Sequence, residues 1–416
     1  MPMTRKQLNK MEESVKLKKE IELRELELNA LLEITQAINN NMSEESLYRI
    51  YNFTLRANLS IDKIALYVKE DSWNCKVSFG TDQDCIGVAL NQDFVNLQKP
   101  RKINYEGVGP FNEFKEVWPI AHKDKLLAVV FIDFAKDIVT ETEAQAGFIV
   151  LITNIIMVAI ENKKLARREM QQELFRKEMD IAKNVQSYLF PDKLPEDDHV
   201  HIFANYWPHH TIGGDYYDVI PLEDNKLMMC IADVSGKGIP AALLMSNFQA
   251  SLRTLVRKTD VLKDIVEELN YQILRNANGE NFITVFLAIY DKKTRQLDFI
   301  NAGHNPPFLV KPDCGIEFLE EGTTILGVFN DLPFLREGRV EVDKDSLFFL
   351  YTDGVTETIN EKDEFFGVEN LLEFFKNNKN GSLKKLHDDL YQEITQFKGN
   401  NPHHDDITIM TVKVMN

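Results

Sequence analysis

Five aspartates stand where an apolar run meets a turn. Asp215 follows Gly213-Gly214, Asp233 leads into Val234-Ser235-Gly236-Lys237-Gly238, Asp353 precedes Gly354, and Asp405-Asp406 precedes Ile407-Thr408. Asp233 closes the apolar run 227–232, Asp353 comes just after 347–351, and Asp405 and Asp406 open the run 407–414. Carboxylates at strand ends, each beside pliable backbone, are how a sheet gathers several oxygen ligands at one rim. Left unneutralised they repel one another and resist ionisation. A divalent cation removes that penalty, and an all-oxygen donor set suits hard ions such as Mg²⁺ or Mn²⁺. One Asp-Gly is a weak signal, because it is common in ordinary turns. Its recurrence within one half of the chain carries the weight.

Other residues invite chemistry less strongly. His304, in Asn301-Ala302-Gly303-His304-Asn305-Pro306-Pro307, could protonate a leaving alkoxide; a structural turn after the strand 297–300 is favoured. His209-His210 and His403-His404 could suggest a transition-metal site, but exposed loop histidines are favoured for both pairs.

The elements that must position these groups fall into four stretches. Residues 1–40 lack glycine, are rich in Glu, Lys and Leu, and space Leu17, Ile21, Leu28, Leu31 and Ile38 by threes and fours, with interruptions. That predicts an amphipathic helix of coiled-coil type, for pairing with a second copy or packing on its own domain, the former favoured. Over 41–160, Ser43-Glu44-Glu45 is a helix start. The run 63–68 and the alternation 73–79 read as strands, and 117–121 with 126–131 as a hairpin about the polar turn 122–125. A long helix follows from about 141. Helix, strands, hairpin and helix on this scale resemble a GAF sensor domain. Over 161–194 the helix is expected to continue with an apolar stripe (Leu165, Met170, Leu174, Ile181, Val185, Tyr188) until Pro191 stops it. Residues 195–416 turn to short strands, tight turns and a few helices, with all five aspartates.

In this order, Gly213-Gly214-Asp215-Tyr216-Tyr217-Asp218, the stretch 231–242, Asn301–Pro307, the stretch 350–357 and Asp405-Asp406-Ile407-Thr408 resemble the sporulation-stage-II-protein-E branch of the metal-dependent protein phosphatase 2C family. The resemblance covers about 195–416. It implies an α+β chain: a GAF-like sensor, a helical linker, and a phosphatase 2C-like β-sandwich of two antiparallel sheets flanked by helices. It also implies a centre of two Mn²⁺ or Mg²⁺ ions. Asp233 would bridge both with help from the Val234 carbonyl, Asp215 would bind one, and Asp353 with Asp405 or Asp406 the other, Asp405 being the favoured ligand. Asp218 would support the site rather than bind an ion. Lys237 would touch phosphate or be solvated, and the phosphate-holding arginine of eukaryotic relatives has no counterpart in a recognisable motif. The implied reaction is hydrolysis of a phosphoserine or phosphothreonine ester by an activated water, without a covalent phosphoenzyme. The segment 182–191, with Val185, Tyr188 and Leu189, would pack on the catalytic domain and regulate it. The implied partner is a phosphorylated anti-sigma-factor antagonist; a second copy of the chain is the partner expected from the N-terminal helix.

Bulk properties agree. A chain of 416 residues, 44% apolar, calls for more than one core. A net charge of -17 argues against nucleic acid or anionic lipid as a main partner. Four scattered cysteines without a CxxC pair fit a reduced cytoplasm. The most apolar run, 148–160, is too short for a membrane span, so a soluble cytoplasmic protein is expected. Two rivals compete with hydrolysis. A nucleotide cyclase would also place aspartates beside glycines, but leaves the later aspartates unexplained. A non-catalytic scaffold would not have kept every candidate ligand.

Overall fold

The structure is a computed structural model, and it describes all residues except 1–4, 59–60, 104–108, 123–124, 135–141, 277–280, 314, 379–380 and 416. The chain divides into two compact units, Met1–Glu173 and Leu174–Asn416.

The first unit comprises α1 (Arg5–Asn39), α2 (Glu44–Asn58), β1 (Ile61–Lys69), β2 (Trp73–Phe79), α3 (Gln92–Val95), β3 (Arg101–Lys102), β4 (Glu116–His122), β5 (Lys125–Phe134) and most of α4 (Thr142–Ser187). Its antiparallel sheet has the order β2-β1-β5-β4-β3. The two-residue period of a strand sends Ile64, Leu66 and Val68 toward α1, α2 and α4, and Ala65 and Tyr67 toward a second cluster with Phe94, Phe111 and Phe131. The expected stripe of α1 holds only in part. Leu31 and Ile38 pack on the unit's core, but the helix meets it chiefly through Ala30, Ile34 and Ala37, while Leu17, Ile21 and Leu28 are exposed. Small alanines let the helix approach closely, and a search for large apolar residues passes over them. The run 148–160 is the buried face of α4, and among the described residues no helix is long and apolar enough to cross a membrane.

The second unit holds the end of α4 and then β6 (Val200–Trp207), β7 (Tyr216–Pro221), β8 (Lys226–Val234), α5 (Ile239–Val256), α6 (Leu262–Asn276), β9 (Ile283–Asp291), β10 (Gln296–Ala302), β11 (Phe308–Val310), β12 (Ile316–Phe318), β13 (Gly322–Thr323), β14 (Gly338–Glu341), β15 (Leu347–Tyr351), α7 (Asp353–Thr356), α8 (Gly367–Asn377), α9 (Leu383–Lys398) and β16 (Ile407–Val414). One sheet runs β13-β10-β9-β8-β7 with β14 also on β10; the other runs β12-β11-β15-β16-β6. Pairing is antiparallel except for the two-residue β13, which runs parallel to β10.

The central strands are continuously apolar because both of their faces are covered. In β8, Leu227, Met229 and Ile231 face the second sheet, and Met228, Cys230 and Ala232 face α5 and α6. In β15, Phe348 and Leu350 turn inward, and Leu347, Phe349 and Tyr351 pack under α8 and α9. The result is a sandwich of two sheets with helices on both outer faces, each core layer drawing on alternate residues of the same strands.

Helix α5 is fixed to β7 by a charge pair. Asp218 is fully buried, accepts from Tyr216 Oη at 2.5 Å, and is gripped by Arg253 through Nε at 2.8 Å and Nη2 at 3.0 Å. A two-pronged guanidinium contact fixes direction as well as distance. Removing it leaves a carboxylate with nowhere to put its charge. Because the Arg253 side chain is 44% exposed, Arg253→Ala should lower stability by roughly 2–3 kcal/mol, less than for a wholly buried pair. Urea unfolding checks this: the midpoint should fall, and an unchanged midpoint would contradict the structural role.

Candidate active site

The candidate ligands come from four separate pieces of chain. Asp215 immediately precedes β7. Asp233 lies inside β8, opposite Thr284 of β9, so the strand runs two residues beyond the apolar run that outlines it. Asp353 opens the one-turn helix α7 directly after β15, and Asp405 and Asp406 lead into β16. The structure brings all five to one rim, where Asp233 is near enough to Asp353, Asp405, Asp215 and Asp406 to feel each of them.

Asp215 is buried, and its Oδ2 accepts from Thr352 Oγ1 at 2.8 Å and Thr408 Oγ1 at 2.5 Å. Asp406 is also buried and acts as a clamp. It accepts from the His209 amide at 2.7 Å, the Gly214 amide at 2.9 Å and Tyr206 Oη at 3.4 Å. Two glycines are required by this close approach and not by unusual backbone angles. A Cβ at Gly213 would lie 1.9 Å from Asp406 Oδ2, and one at Gly354 would lie 1.9 Å from the Asp406 carbonyl oxygen. Asp405 is half-buried; its Oδ1 accepts from the Asp406 amide at 2.9 Å and its Oδ2 pairs with Lys237 Nζ at 2.8 Å.

Crowding shows in the proton equilibria. Burial, then Asp233 and Asp406, hold Asp215 well above the usual carboxylate range. Burial, with Asp353 and Asp405 next, pushes Asp233 up to about 8. Burial, with Glu357 and Asp405 next, raises Asp353 to about 6. These are the marks of carboxylates gathered without a counter-charge. Among the described residues no three His, Cys, Asp or Glu side chains close on one point tightly enough to hold an ion as they stand. Asp215 and Asp406 aim oxygens at hydroxyls and amides, and Asp405 aims one at Lys237. The donor chemistry nevertheless fits hard divalent cations. All donors are oxygen, the rim is short of positive charge, and Gly214 leaves the Val234 carbonyl unobstructed, since a Cβ there would sit 2.9 Å from that oxygen.

The remaining candidates separate from the rim. Asp218 belongs to the Arg253 pair. His304 is buried, with Nδ1 2.9 Å from Thr284 Oγ1 and Nε2 3.1 Å from the Tyr351 carbonyl. Burial lowers it to about 4, so it stays neutral with both ring nitrogens engaged. His209 and His210 lie ring to ring at 4.2 Å, and His403 is half-buried beside Tyr391. Of these four, His210 and His404 are exposed while His209 and His403 are half-buried, which corrects the reading of both pairs as exposed loop residues.

The segment 182–191 also departs from expectation. The helix stops at Ser187, ahead of Pro191. Val185 (58%) and Tyr188 (77%) are exposed and do not pack on the catalytic unit. Leu189 and Phe190 do pack, Phe190 stacking on Tyr206 at 5.1 Å between ring centres. The buried Gln186 bonds the Gly213 backbone on both sides, giving to its carbonyl at 2.8 Å and accepting from its amide at 3.4 Å. Sequence reasoning missed Gln186, Thr352 and Thr408 as supports of the rim. Both threonines stand inside the quoted motifs, next to or two residues from an aspartate, which was the available signal.

The raised carboxylates fix the sign of a pH dependence. A carboxyl that binds its proton more tightly folded than unfolded makes the folded state lose stability as pH rises from its unfolded to its folded value. For Asp233 that window is about pH 4 to 8, and for Asp353 about 4 to 6. Protein stripped of divalent cations by a chelator should therefore melt at falling temperature as pH rises through this window. Added Mn²⁺ should restore most of the loss at its alkaline end. A melting temperature that climbs with pH without cation would contradict the crowded rim.

Residues 223–415 match the sequence model of the family described as Stage II sporulation protein E (SpoIIE). The phosphoserine phosphatase RsbU of Bacillus subtilis is 29% identical over 247 residues, covering 59% of this chain and 72% of RsbU. The phosphoserine phosphatase RsbP of the same organism is 26% identical over 185 residues, covering 43% of this chain and 45% of RsbP. The chain thus spans less than half of RsbP's length. Among solved structures, the SiaA-PP2C domain of Pseudomonas aeruginosa matches with a TM-score of 0.52 at 21% identity, covering 58% of this chain and 98% of that domain. The two-sheet sandwich is therefore the phosphatase 2C fold, and residues 223–415 of this chain are similar to the SpoIIE family.

Proposed function

We propose that this protein is a metal-dependent serine/threonine phosphoprotein phosphatase whose N-terminal half regulates it. The observation that carries this reading is the convergence of Asp215, Asp233, Asp353 and Asp405 at one rim, with three of them held above the ordinary carboxylate range. Asp233 and Asp215, with the Val234 carbonyl, would hold one Mn²⁺ or Mg²⁺; Asp233, Asp353 and Asp405 would hold a second. Such a pair supplies a nucleophilic water at neutral pH and neutralises the phosphoryl oxygens.

The chain's own residues do the positioning. Thr352 and Thr408 orient Asp215. Asp406 ties the 213–214 turn to the start of β16, so that Asp215 and Asp405 keep their spacing. His304 braces β9 against β15 and takes no part in proton transfer. The names of RsbU and RsbP support phosphoserine as the substrate. A phosphorylated anti-sigma-factor antagonist is the protein substrate we favour. The N-terminal unit would be a GAF-like sensor in a cytoplasmic protein that pairs with a second copy through its long helices. The Gln186 contact with Gly213 supports a regulatory route, because it joins the end of α4 to the turn carrying Asp215.

Hydrolysis of p-nitrophenyl phosphate, run with and without Mn²⁺ beside a GTP-turnover control, tests the reaction. Release should require Mn²⁺, and Asp233→Asn should lower it by more than about a hundredfold. Release that survives the substitution would overturn the assignment, and GTP turnover would point to a cyclase. Removing residues 1–160 should change turnover or the Mn²⁺ concentration needed; identical kinetics would argue against a regulatory N-terminal half.

A further inference from the structure

Lys237 occupies an unusual position for a lysine in a glycine turn. The turn Gly236-Lys237-Gly238 connects β8 to α5, and both glycines have positive φ, 93° and 71°. That backbone carries the lysine across to the segment that precedes β16. Its Nζ lies 2.8 Å from Asp405 Oδ2 and donates to the His404 carbonyl. Its charge also reaches Asp353, where it opposes the upward push of burial, and His209, which it helps to depress after burial and His210. One ammonium group thus faces Asp405 and Asp353, the two carboxylates assigned solely to the second cation, with the Asp405 oxygen and the His404 carbonyl as its hydrogen-bond partners.

We infer that Lys237 is a built-in competitor for the second divalent cation: it neutralises Asp405 and Asp353 when that ion is absent and must let go of Asp405 for the ion to bind. This rests on the metal-centre reading above. An ammonium and a divalent ion cannot share the Asp405 oxygen without strong repulsion, so each binding event carries the cost of breaking the lysine pair. The pair is half exposed, 46% for the lysine side chain and 40% for the aspartate, so that cost is modest and screened by salt. The first cation, between Asp215 and Asp233, meets no such rival at hydrogen-bond range: the bond partners of Lys237 are Asp405 and the His404 carbonyl, and the largest influences on Asp215 and Asp233 are burial and other aspartates. The two ions would therefore differ in affinity, and the weaker would set the working metal concentration. Once displaced, the ammonium is free to move on its flexible stem.

Isothermal titration calorimetry with Mn²⁺ on the full chain, at fixed pH and low salt, tests this without reference to turnover. Lys237→Met keeps the length of the side chain and removes the charge. It should tighten the weaker of the two binding steps by about fivefold and leave the tighter step unchanged. Lys237→Arg keeps the charge and should titrate like the unsubstituted protein. The gain in the methionine variant should shrink as salt is raised. Unchanged or weaker binding by Lys237→Met, in protein whose melting shows it folded, overturns the inference while leaving the metal centre standing. Absence of Mn²⁺ binding in all three proteins overturns the metal centre itself, and the competition with it.

Discussion

Negative charges brought together at the end of a sandwich must be restrained by something other than one another. In this protein the restraint is a set of mostly neutral donors, with a single cation among them. Two threonine hydroxyls hold Asp215, two backbone amides and a tyrosine hold Asp406, and one lysine reaches Asp405. Hydroxyls and amides fix a carboxylate's direction without discharging it. The rim is thereby kept in shape yet left electrostatically short, and that deficit is the basis of the proposal that it takes small, highly charged cations.

The same constraint accounts for the composition of the surrounding chain. Glycines 213 and 354 stand where the Asp406 segment presses against two other turns, leaving no volume for a side chain. The strands behind the rim are apolar on both faces, which removes water from beneath the carboxylates. Arg253 is committed to Asp218 on β7. A cation-poor rim beside a rigid, dry support is thus produced by residues that never touch the reacting groups.

Much of this was legible in the sequence because each aspartate carries a local signature: an apolar run on one side and glycine or a β-branched run on the other. The sandwich followed from the length and spacing of those runs. What stayed hidden was non-local. Thr352 and Thr408 meet Asp215 across 137 and 193 residues, and no periodicity reports a contact at that range. Gln186 was hidden by its own helix, since a polar residue in a charged amphipathic segment reads as solvated. Val185 and Tyr188 were misassigned for a related reason. A hydrophobic stripe identifies a face of a helix but not what covers it.

The position of β16 has a consequence for how the protein is made. It lies between β15 and β6, and among the described strands it is the one that pairs with β6. A nascent chain leaving the ribosome therefore carries β6 as a bare edge until a segment some two hundred residues downstream has been synthesised, the separation between Tyr206 and Asp406. Sequence-distant closure of this kind slows folding and leaves strand edges open to wrong partners. The rim of aspartates is incomplete during that interval, so a translation product truncated before β16 would lack Asp405 and Asp406 as well as the partner of β6.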